Sequence, residues 1–569
     1  MAFQLSPGVV TSEVDLTTVV PSAATTTGAF AGIFKWGPAE VATQVANEVK
    51  LAEVFGKPDD TTAIPFFTSA NFLSYGNDLR VVRAVSSSNT RTATASGNST
   101  FLIKNNDTYF NSYYSSNTAN AGAWVARCGG ALGNSLKVDV WANTNATHFN
   151  AWAYKSYFDA APGTSTYVSN VGGANDEMHI VVVDEDGLFT GTSGTVLETF
   201  PFVSKASDAK DSVGNSNYYK DVIYNKSKYV YWTDHPNATN TALNWGTAAA
   251  GQTFVQLVNV AAVYSTSLSA GADGTPSAAD VQTALGKLAD ADNLDISLLM
   301  TGDAAPATVL YAIQSIAEVR KDCVVFASPA LANCQSATPA TDVVNYRNNA
   351  LSNVSSSYAV MDSGWKYQYD KYNDKYRWIP LNGDVAGLCA RTDLERDAWF
   401  SPAGATRGSI KNVIKLAYQP TKAERDTLYK SGVNPVVSFA GEGTLLFGDK
   451  TMLAKPSAFD RINVRRLFIT LEKAIARAAK TQLFEFNDEF TRAQFVSLVE
   501  PFLRTVQGRR GITDFRVVCD TTNNTPDVID RNEFVGDIYV KPNRSINFIQ
   551  LNFVAVRSGV AFDEVVGRF

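Results

Sequence analysis

Short apolar runs that are typical of buried strands occur in two separate parts of the chain. Residues 28–34 and 79–85 are such runs, each bounded by turn residues. Residues 296–300 and 323–327 form a second pair, and the apolar residues of the segment between them, 306–321, recur at helical spacing. A strand, a helix and a strand in succession imply a right-handed crossover in a sheet that helices cover. The pattern therefore predicts an α/β core.

A stretch of different amino-acid composition separates the two parts of this core. Residues 87–267 are rich in Ser, Thr, Asn and Tyr, and β-forming runs alternate there with turn residues. Residues 178–183 and the run from Leu188 flank an Asp-Glu-Asp-Gly sequence, whose Asp-Gly end suits a hairpin turn. We therefore predict a β-rich inserted domain at residues 87–267 within a discontinuous α/β core domain at residues 23–86 plus 268–408.

The last predicted domain, residues 409–569, combines an amphipathic helix with strands. The helix covers about residues 463–482 and carries its apolar side chains on one face. Its basic side chains are Arg465, Arg466, Lys473, Arg477 and Lys480. They form either the solvated rim of a docked core helix or a basic ridge that meets an acidic neighbour. Residues 538–540 and 546–556 are predicted to pair as strands, so the whole chain is predicted to be an α/β and α+β multidomain protein.

Both ends of the chain have a strand-like pattern. One such segment lies in an N-terminal arm at residues 1–22, and the other lies in the C-terminal tail. A lone terminal strand has no local partner and is marginal by itself. It must therefore join a sheet of its own chain or add to the sheet of another chain. The apolar residues of the two segments are Val9, Val10, Val14, Leu16, Phe562 and Val565.

Composition and charge narrow the class of protein. The chain has 569 residues, of which 45% are hydrophobic and 18% charged, so a disordered tail, a collagen-like fibre and a small disulfide scaffold are excluded. The net charge of −6 is unevenly distributed, because residues 409–569 carry 23 basic and 18 acidic side chains. A basic last domain suggests a face for an acidic partner, although ordinary surface variation also explains the count. Neither a signal peptide nor a membrane-spanning helix is expected from the apolar runs.

Residue types that carry catalysis are scarce. Five cysteines and three histidines are scattered without metal or redox spacing, and no phosphate-binding glycine motif follows a predicted strand. The segment 365–378 mixes aromatic and basic residues, as platforms for single-stranded nucleic acid do, but its aspartates would repel phosphate. A hairpin with its turn at Asn373-Asp374 fits better. We therefore expect no enzyme, cofactor, metal or nucleic acid, and a nucleotide-binding α/β enzyme is the alternative from another class.

Several long runs of the chain are specific enough to indicate a family. In order, they are residues 5–8, 34–39, 71–85, 365–378, 387–393, 459–468, 518–526 and 529–535. In these runs the chain resembles the contractile tail sheath protein family of T4-like bacteriophages. The resemblance covers residues 5–85 and 265–566 and is loose over residues 86–264. It implies that the protruding outer domain of the family is reduced or absent here.

The resemblance implies a structural subunit without a catalytic role. Sheath proteins of this family stack as six-fold rings around a tail tube, in a metastable extended helix that contracts and drives the tube through the host envelope for genome ejection. The resemblance also implies that the two arms pair with sheets of neighbouring subunits. The family's C-terminal domain lies against the tube, which makes the basic helix residues of 463–482 named above candidates for tube-facing positions.

The expected partners follow from the same resemblance. They are further copies of the chain in a six-fold helical homopolymer, the tail tube protein, and the baseplate and tail terminator proteins, with no nucleic acid and no membrane insertion. The expected place is the virion tail, after assembly in the host cytoplasm. Two alternatives remain open, namely the sheath of a phage-tail-like bacteriocin or secretion particle, and an adhesin suggested by the Ser/Thr/Asn/Tyr-rich middle.

Overall fold

The chain divides into two compact units. The computed structural model describes residues 24–115, 120–236, 242–257, 263–547 and 550. Contacts group Met1–Glu485 into the first unit and Phe486–Phe569 into the second. Residues 409–485 therefore pack within the first unit, although the sequence places a domain boundary at 408/409. No helix among the described residues is both long enough and apolar enough to cross a membrane.

The described residues form twenty strands. They are β1 (Gly28–Gly32), β2 (Thr43–Val45), β3 (Leu79–Arg83), β4 (Thr92–Thr94), β5 (Trp124–Gly129), β6 (Leu136–Trp141), β7 (Glu177–Asp184), β8 (Thr195–Ser204), β9 (Val230–Trp232), β10 (Val263–Ser267), β11 (Leu298–Met300), β12 (Val324–Ala327), β13 (Ala359–Met361), β14 (Trp365–Asp370), β15 (Lys375–Pro380), β16 (Lys415–Leu416), β17 (Val436–Phe439), β18 (Gly443–Leu446), β19 (Ile512–Val518) and β20 (Asp537–Pro542).

The same parts of the chain contain sixteen α-helical segments. They are α1 (Glu48–Phe55), α2 (Ala63–Leu73), α3 (Asn106–Ser112), α4 (Ala146–Phe149), α5 (Thr166–Asn170), α6 (Tyr219–Lys226), α7 (Ala278–Gly286), α8 (Pro306–Tyr311), α9 (Glu318–Arg320), α10 (Leu331–Cys334), α11 (Pro339–Asn345), α12 (Asn382–Glu395), α13 (Lys422–Lys430), α14 (Ile462–Ala479), α15 (Glu489–Gly508) and α16 (Pro526–Asp530). A π-helical turn, Ala312–Ala317, joins α8 to α9, so the helix predicted at 306–321 is confirmed.

The main sheet of the first unit has helices on both faces. Its strand order is β13-β12-β11-β1-β3-β2, and every pair is parallel except β2–β3. Phe30 of β1 packs in one core with residues of α2 and α12, whereas its neighbours Ala29 and Ala31 pack in a second core with residues of α7, α8 and α11. Burial on both faces explains why these strands are continuous apolar runs. The predicted α/β core is confirmed.

The segment between the two parts of the core is built mainly from antiparallel strands. One sheet has the order β10-β6-β7-β8, and another has the order β4-β5-β9. The predicted hairpin after residue 183 is wider than expected, because β8 begins at Thr195 rather than near Leu188. The chain instead loops around the buried Asp184, whose carboxylate accepts the backbone N–H groups of Phe189 and Thr190 at 3.0 and 2.8 Å. These hydrogen bonds stabilise a long loop in place of a tight turn.

The aromatic segment at 365–378 is the predicted hairpin. Strands β14 and β15 pair antiparallel from Trp365 opposite Pro380 to Asp370 opposite Lys375. The turn lies at residues 371–374, and Asp374 has a φ of 50° there. The Asp370 carboxylate accepts the N–H groups of Tyr372 and Asn373, which fixes the turn.

Candidate assembly sites

The second unit is a helix packed on a two-stranded sheet. The Asp488 carboxylate caps α15 by accepting the N–H of Thr491 at 2.8 Å. The apolar residues Phe495, Leu498, Leu503 and Val506 of this helix are buried, and the helix packs against β19. Strand β19 pairs antiparallel with β20. The unit therefore presents a small sheet that is covered on one side by a helix.

Both outer edges of this sheet lack a strand partner in the described part of the chain. Strand β20 pairs with β19, and most of its predicted partner, residues 546–556, lies outside the described residues. A two-stranded sheet is marginal by itself, and an open strand edge is a template for pairing with another chain. The β19 edge can therefore accept a strand from another chain, whereas the β20 edge is also the predicted place of residues 546–556 of this chain.

The residues predicted to supply such strands belong to the two terminal segments of the chain. Val9, Val10, Val14 and Leu16, as well as Phe562 and Val565, lie outside the described residues. The arm predictions therefore remain predictions. The first described residues, 24–27, lead directly into β1.

Helix α14 contains four of the five predicted tube-facing residues, and the fifth, Lys480, directly follows it. Its first two arginines, Arg465 and Arg466, are buried. The Arg466 Nη1 donates to Asp393 Oδ1 of α12 at 2.8 Å, and the two side chains are 4% and 3% exposed. The Arg465 guanidinium lies over the rings of Tyr358 and Phe459, with its carbon 4.4 and 4.5 Å from the ring centroids. The prediction of an exposed basic ridge is therefore wrong for Arg465 and Arg466, because partners within the fold compensate the burial of both charges.

The remaining basic residues of this region lie closer to the surface. The Lys473 Nζ donates to Asp295 Oδ1 at 2.7 Å and to the Ile296 carbonyl at 2.6 Å, so its charge is also paired within the chain. Arg477 pairs with the same Asp295 at 3.0 Å but keeps 45% of its side chain exposed, and Lys480 is exposed. The helix is thus mainly a docked core helix with a partly solvated rim. Arg465 also reaches Glu472 of its own helix at 3.4 Å, but the acidic partners of Arg466, Lys473 and Arg477 lie far away in the sequence, and no local signal identifies them.

The carboxyl ends of the parallel strands are filled by polar side chains of the protein itself. The Asn382 amide, at the start of α12, donates to the Gly302 carbonyl at 2.8 Å and to Ser328 Oγ at 2.9 Å. Ser328 Oγ donates to the buried Asp362 carboxyl at 2.7 Å, and burial raises the pKa of Asp362 to about 8. Gly302, Ser328 and Asp362 follow β11, β12 and β13, at the edge where α/β sheets bind ligands. This network occupies that position.

A second buried polar group lies beside this network. The Lys366 Nζ lies 2.8 Å from Asp384 Oδ1, and both side chains are fully buried. Burial lowers the pKa of Lys366 and raises that of Asp384, while the attraction between the two charges opposes both shifts. The Tyr75 hydroxyl also donates to Asp384 Oδ1, at 3.0 Å, and Lys366 donates to the Lys411 carbonyl at 2.9 Å. The pair joins α12 to β14, and Tyr75 adds the segment that follows α2.

Comparison with family models identifies three sheath segments in the chain. "Phage tail sheath protein central domain" matches residues 274–452, and "Phage tail sheath C-terminal domain" matches residues 454–555. "Tail sheath protein Gp18 domain III N-terminal region" matches residues 25–84. The matched segments include β1 and β3 of the main sheet and the second unit up to residue 555.

Solved structures support the fold. The sheath tail protein of Listeria innocua superposes with a TM-score of 0.52 at 12% identity, over 93% of this chain and 97% of that chain. The helical sheath of the anti-feeding prophage in its contracted state superposes with a TM-score of 0.50 at 13% identity, over 97% and 99% of the two chains. At this identity the likeness concerns the fold alone.

Full-length relatives are much closer in sequence. The tail sheath protein of Vibrio phage KVP40 is 36% identical over 673 aligned positions, which cover 99% of this chain and 100% of the relative. The tail sheath protein of Enterobacteria phage T4 is 35% identical over 99% of both chains. Because the alignment is longer than the 569 residues of this chain, the Vibrio phage relative carries segments that this chain lacks. The similarity extends over the middle of the chain as well, and the protein belongs to the phage tail sheath protein family, whose members are structural proteins of contractile tails and not enzymes.

Proposed function

We propose that this tail sheath subunit polymerises as stacked six-fold rings around a tail tube and contracts to drive the tube through the host envelope. As a sheath subunit, the chain is a component of the virion tail. Assembly takes place in the host cytoplasm, where the baseplate starts the polymer and the tail terminator protein ends it. No nucleotide is consumed, because the free energy for contraction is stored in the extended lattice when it assembles.

The observation that carries this proposal is the two-stranded sheet of β19 and β20 in the second unit. The outer edges of β19 and β20 have no strand partner in the part of the chain that the structure describes. Strands from neighbouring copies, centred on Val9, Val10 and Val14 or on Phe562 and Val565, extend this sheet. Main-chain hydrogen bonds hold such strands, so the connection survives a rigid-body rotation of the subunits when the linkers absorb the change.

Contacts with the tube are weaker than contacts between subunits. The tube surface must be released ring by ring during contraction, so its contacts are polar and modest in area, whereas contacts in the contracted lattice are larger and more complementary. Of the predicted tube-facing residues, Arg477 and Lys480 have exposed side chains and remain candidates. Arg465 and Arg466 are removed from this set because they are buried.

Truncation of the N-terminal arm tests the proposal. Negative-stain electron microscopy of the purified full chain at rising concentration should show long hollow tubes with six-fold helical symmetry. A chain without residues 1–16 should remain a folded monomer, because it cannot donate a strand. A control chain in which a Gly/Ser stretch of equal length replaces residues 1–16 separates strand pairing from chain length. Tubes formed by the truncated chain would refute strand exchange through this arm.

A further inference from the structure

The arm root, residues 24–27, is fixed along the amino end of the main sheet. The Ala24 carbonyl accepts the hydroxyl of Ser297 at 2.9 Å. The Thr27 carbonyl accepts the N–H groups of Ser297 and Leu298 at 2.9 and 3.2 Å. Because Ser297 directly precedes β11, the arm root lies beside the strand that neighbours β1.

Helix α14 holds the arm root from the other side. The Arg466 Nη2 donates to the Thr25 carbonyl at 3.2 Å, and the same guanidinium forms its two-pronged pair with Asp393 of α12. Two turns further along α14, the Lys473 Nζ donates to Ser297 Oγ at 2.9 Å, and that hydroxyl in turn donates to the Ala24 carbonyl. Two buried or nearly buried cations of one helix therefore act on the backbone of the arm root.

The contacts of Arg466 with Asp393 and with the Thr25 carbonyl are made by a permanently charged donor of fixed orientation. The Asp393 carboxylate raises the pKa of Arg466, against the opposing effect of burial, so the guanidinium stays charged. Hydrogen bonds from a charged donor are stronger than neutral ones, and a paired guanidinium has a fixed orientation. Arg466 contacts a main-chain carbonyl, so the contact depends on the position of the backbone and not on the side chain of Thr25.

Without the contacts of Arg466 and Lys473, a pull on the arm would act only on β1 and on the hydrogen bonds that join the Thr27 carbonyl to Ser297 and Leu298. Strand β1 has five residues and lies in the middle of the main sheet, between β11 and β3. A force applied at its first residue would load its hydrogen bonds from one end. Arg466 and Lys473 connect the arm root to α14, and Arg466 connects it through Asp393 to α12. A pull on the arm is therefore shared by two long helices.

We propose that Arg466, Asp393, Ser297 and Lys473 form a root clamp that fixes where the N-terminal arm leaves the body and carries the load from a neighbouring copy into α12 and α14. The inference rests on the proposed function, because pairing of the arm with a second copy is what loads the clamp. In this role Arg466 and Lys473, two of the five residues predicted to face the tube, serve instead to position the arm.

Two variants and one matched control test the root clamp. Ser297→Ala removes the hydroxyl that joins Lys473 to Ala24, and Arg466→Lys removes the two-pronged donor. Ser69→Ala is the control, because Ser69 is also buried and its hydroxyl also donates to a backbone carbonyl, that of Pro65 at 3.0 Å. The readouts are hydrogen exchange of peptides covering residues 24–32 in unassembled protein and the critical concentration for tube formation.

We expect Ser297→Ala to speed exchange at residues 24–32 about fivefold, the effect of losing one ordinary hydrogen bond, and Arg466→Lys to speed it about tenfold or more. Both variants should raise the critical concentration, whereas Ser69→Ala should change neither readout beyond its effect on global stability. Unchanged exchange and unchanged critical concentration in Ser297→Ala would overturn the inference, even if Arg466→Lys fails to fold. Failure of the unaltered chain to polymerise both alone and on added tail tubes would refute the proposed function and the transfer of load from a neighbouring copy, while exchange at residues 24–32 would still decide whether the clamp holds the root.

Discussion

Replacing Lys366 alone should destabilise the first unit more than replacing Lys366 and Asp384 together. The two side chains are fully buried and their charged atoms lie 2.8 Å apart. In Lys366→Met, the Asp384 carboxylate keeps the Tyr75 hydroxyl as a donor to Oδ1. Its other oxygen, Oδ2, has no hydrogen-bond partner among the described residues. The variant therefore leaves a buried carboxylate without a compensating positive charge.

The expected loss follows from the cost of burying an unpaired charge. Removing one partner of a buried ion pair costs about 3–5 kcal/mol, whereas replacing both partners by uncharged groups of similar volume is often close to neutral. We therefore expect the free energy of unfolding to fall by about 3–5 kcal/mol in Lys366→Met. The double variant Lys366→Met/Asp384→Asn should recover at least about 2 kcal/mol of that loss. Burial raises the pKa of Asp384 above its ordinary value, so the loss in Lys366→Met should grow as the pH rises and the unfolded chain ionises freely.

A double-mutant cycle measures this coupling. The free energy of unfolding is obtained by urea titration of chains that lack residues 1–16, so that polymerisation does not contribute. Lys375→Met is the matched control, because Lys375 pairs with Asp60 at 2.8 Å with its side chain 49% exposed, and such surface pairs contribute little to stability. If the losses of Lys366→Met and of Asp384→Asn simply add in the double variant, the reasoning is refuted.

Two further predictions concern packing and pH. Gly383→Ala should lower the free energy of unfolding by about 1–3 kcal/mol, because a Cβ there would overlap the Thr68 carbonyl oxygen of α2. Gly508→Ala is the control, because its Cβ would enter open space, and it should be neutral or slightly stabilising. Equal melting temperatures of the two variants would contradict this. The pKa of Asp362 is raised from 3.8 to about 8, so the native state keeps a proton that the unfolded chain releases, and stability contributed by this group is lost as pH rises between those values, by up to about 1.4 kcal/mol per pH unit. Asp362→Asn should therefore gain stability relative to the unaltered chain between pH 5 and pH 8 in urea titrations, and parallel pH profiles would argue against a protonated Asp362.

The local pattern of apolar residues was sufficient to predict the strands that are buried on both faces of the main sheet. The apolar runs at 28–34, 79–85 and 323–327 predicted β1, β3 and β12, because a strand covered on both faces has to be apolar throughout. The hairpin at 365–378 was equally readable, since its turn residues and alternating pattern lie within one short segment. The specific runs along the chain also predicted the sheath family, which the full-length relatives confirm.

Helix α14 marks the point at which sequence reasoning stopped. Its periodicity predicted the helix, but a basic residue beside an apolar face has the same pattern whether it meets solvent or a buried carboxylate. The partners of Arg466 and Lys473 are Asp393 and Asp295, 73 and 178 residues earlier in the chain. Such pairs form only when chain closure brings α12 and the start of β11 against α14.

The sequence by itself determined the alternation of strands and helices, the family and the absence of familiar phosphate-binding motifs. Tertiary structure decided which charges are buried, how the carboxyl edge of the main sheet is filled, and which strand pairs with β20 in the described residues. The physical reason is range. Hydrophobic burial depends on periodicity that neighbouring residues share, whereas a hydrogen bond or ion pair needs two groups within about 3 Å. Only the closed chain brings Arg466 to the arm root at Thr25.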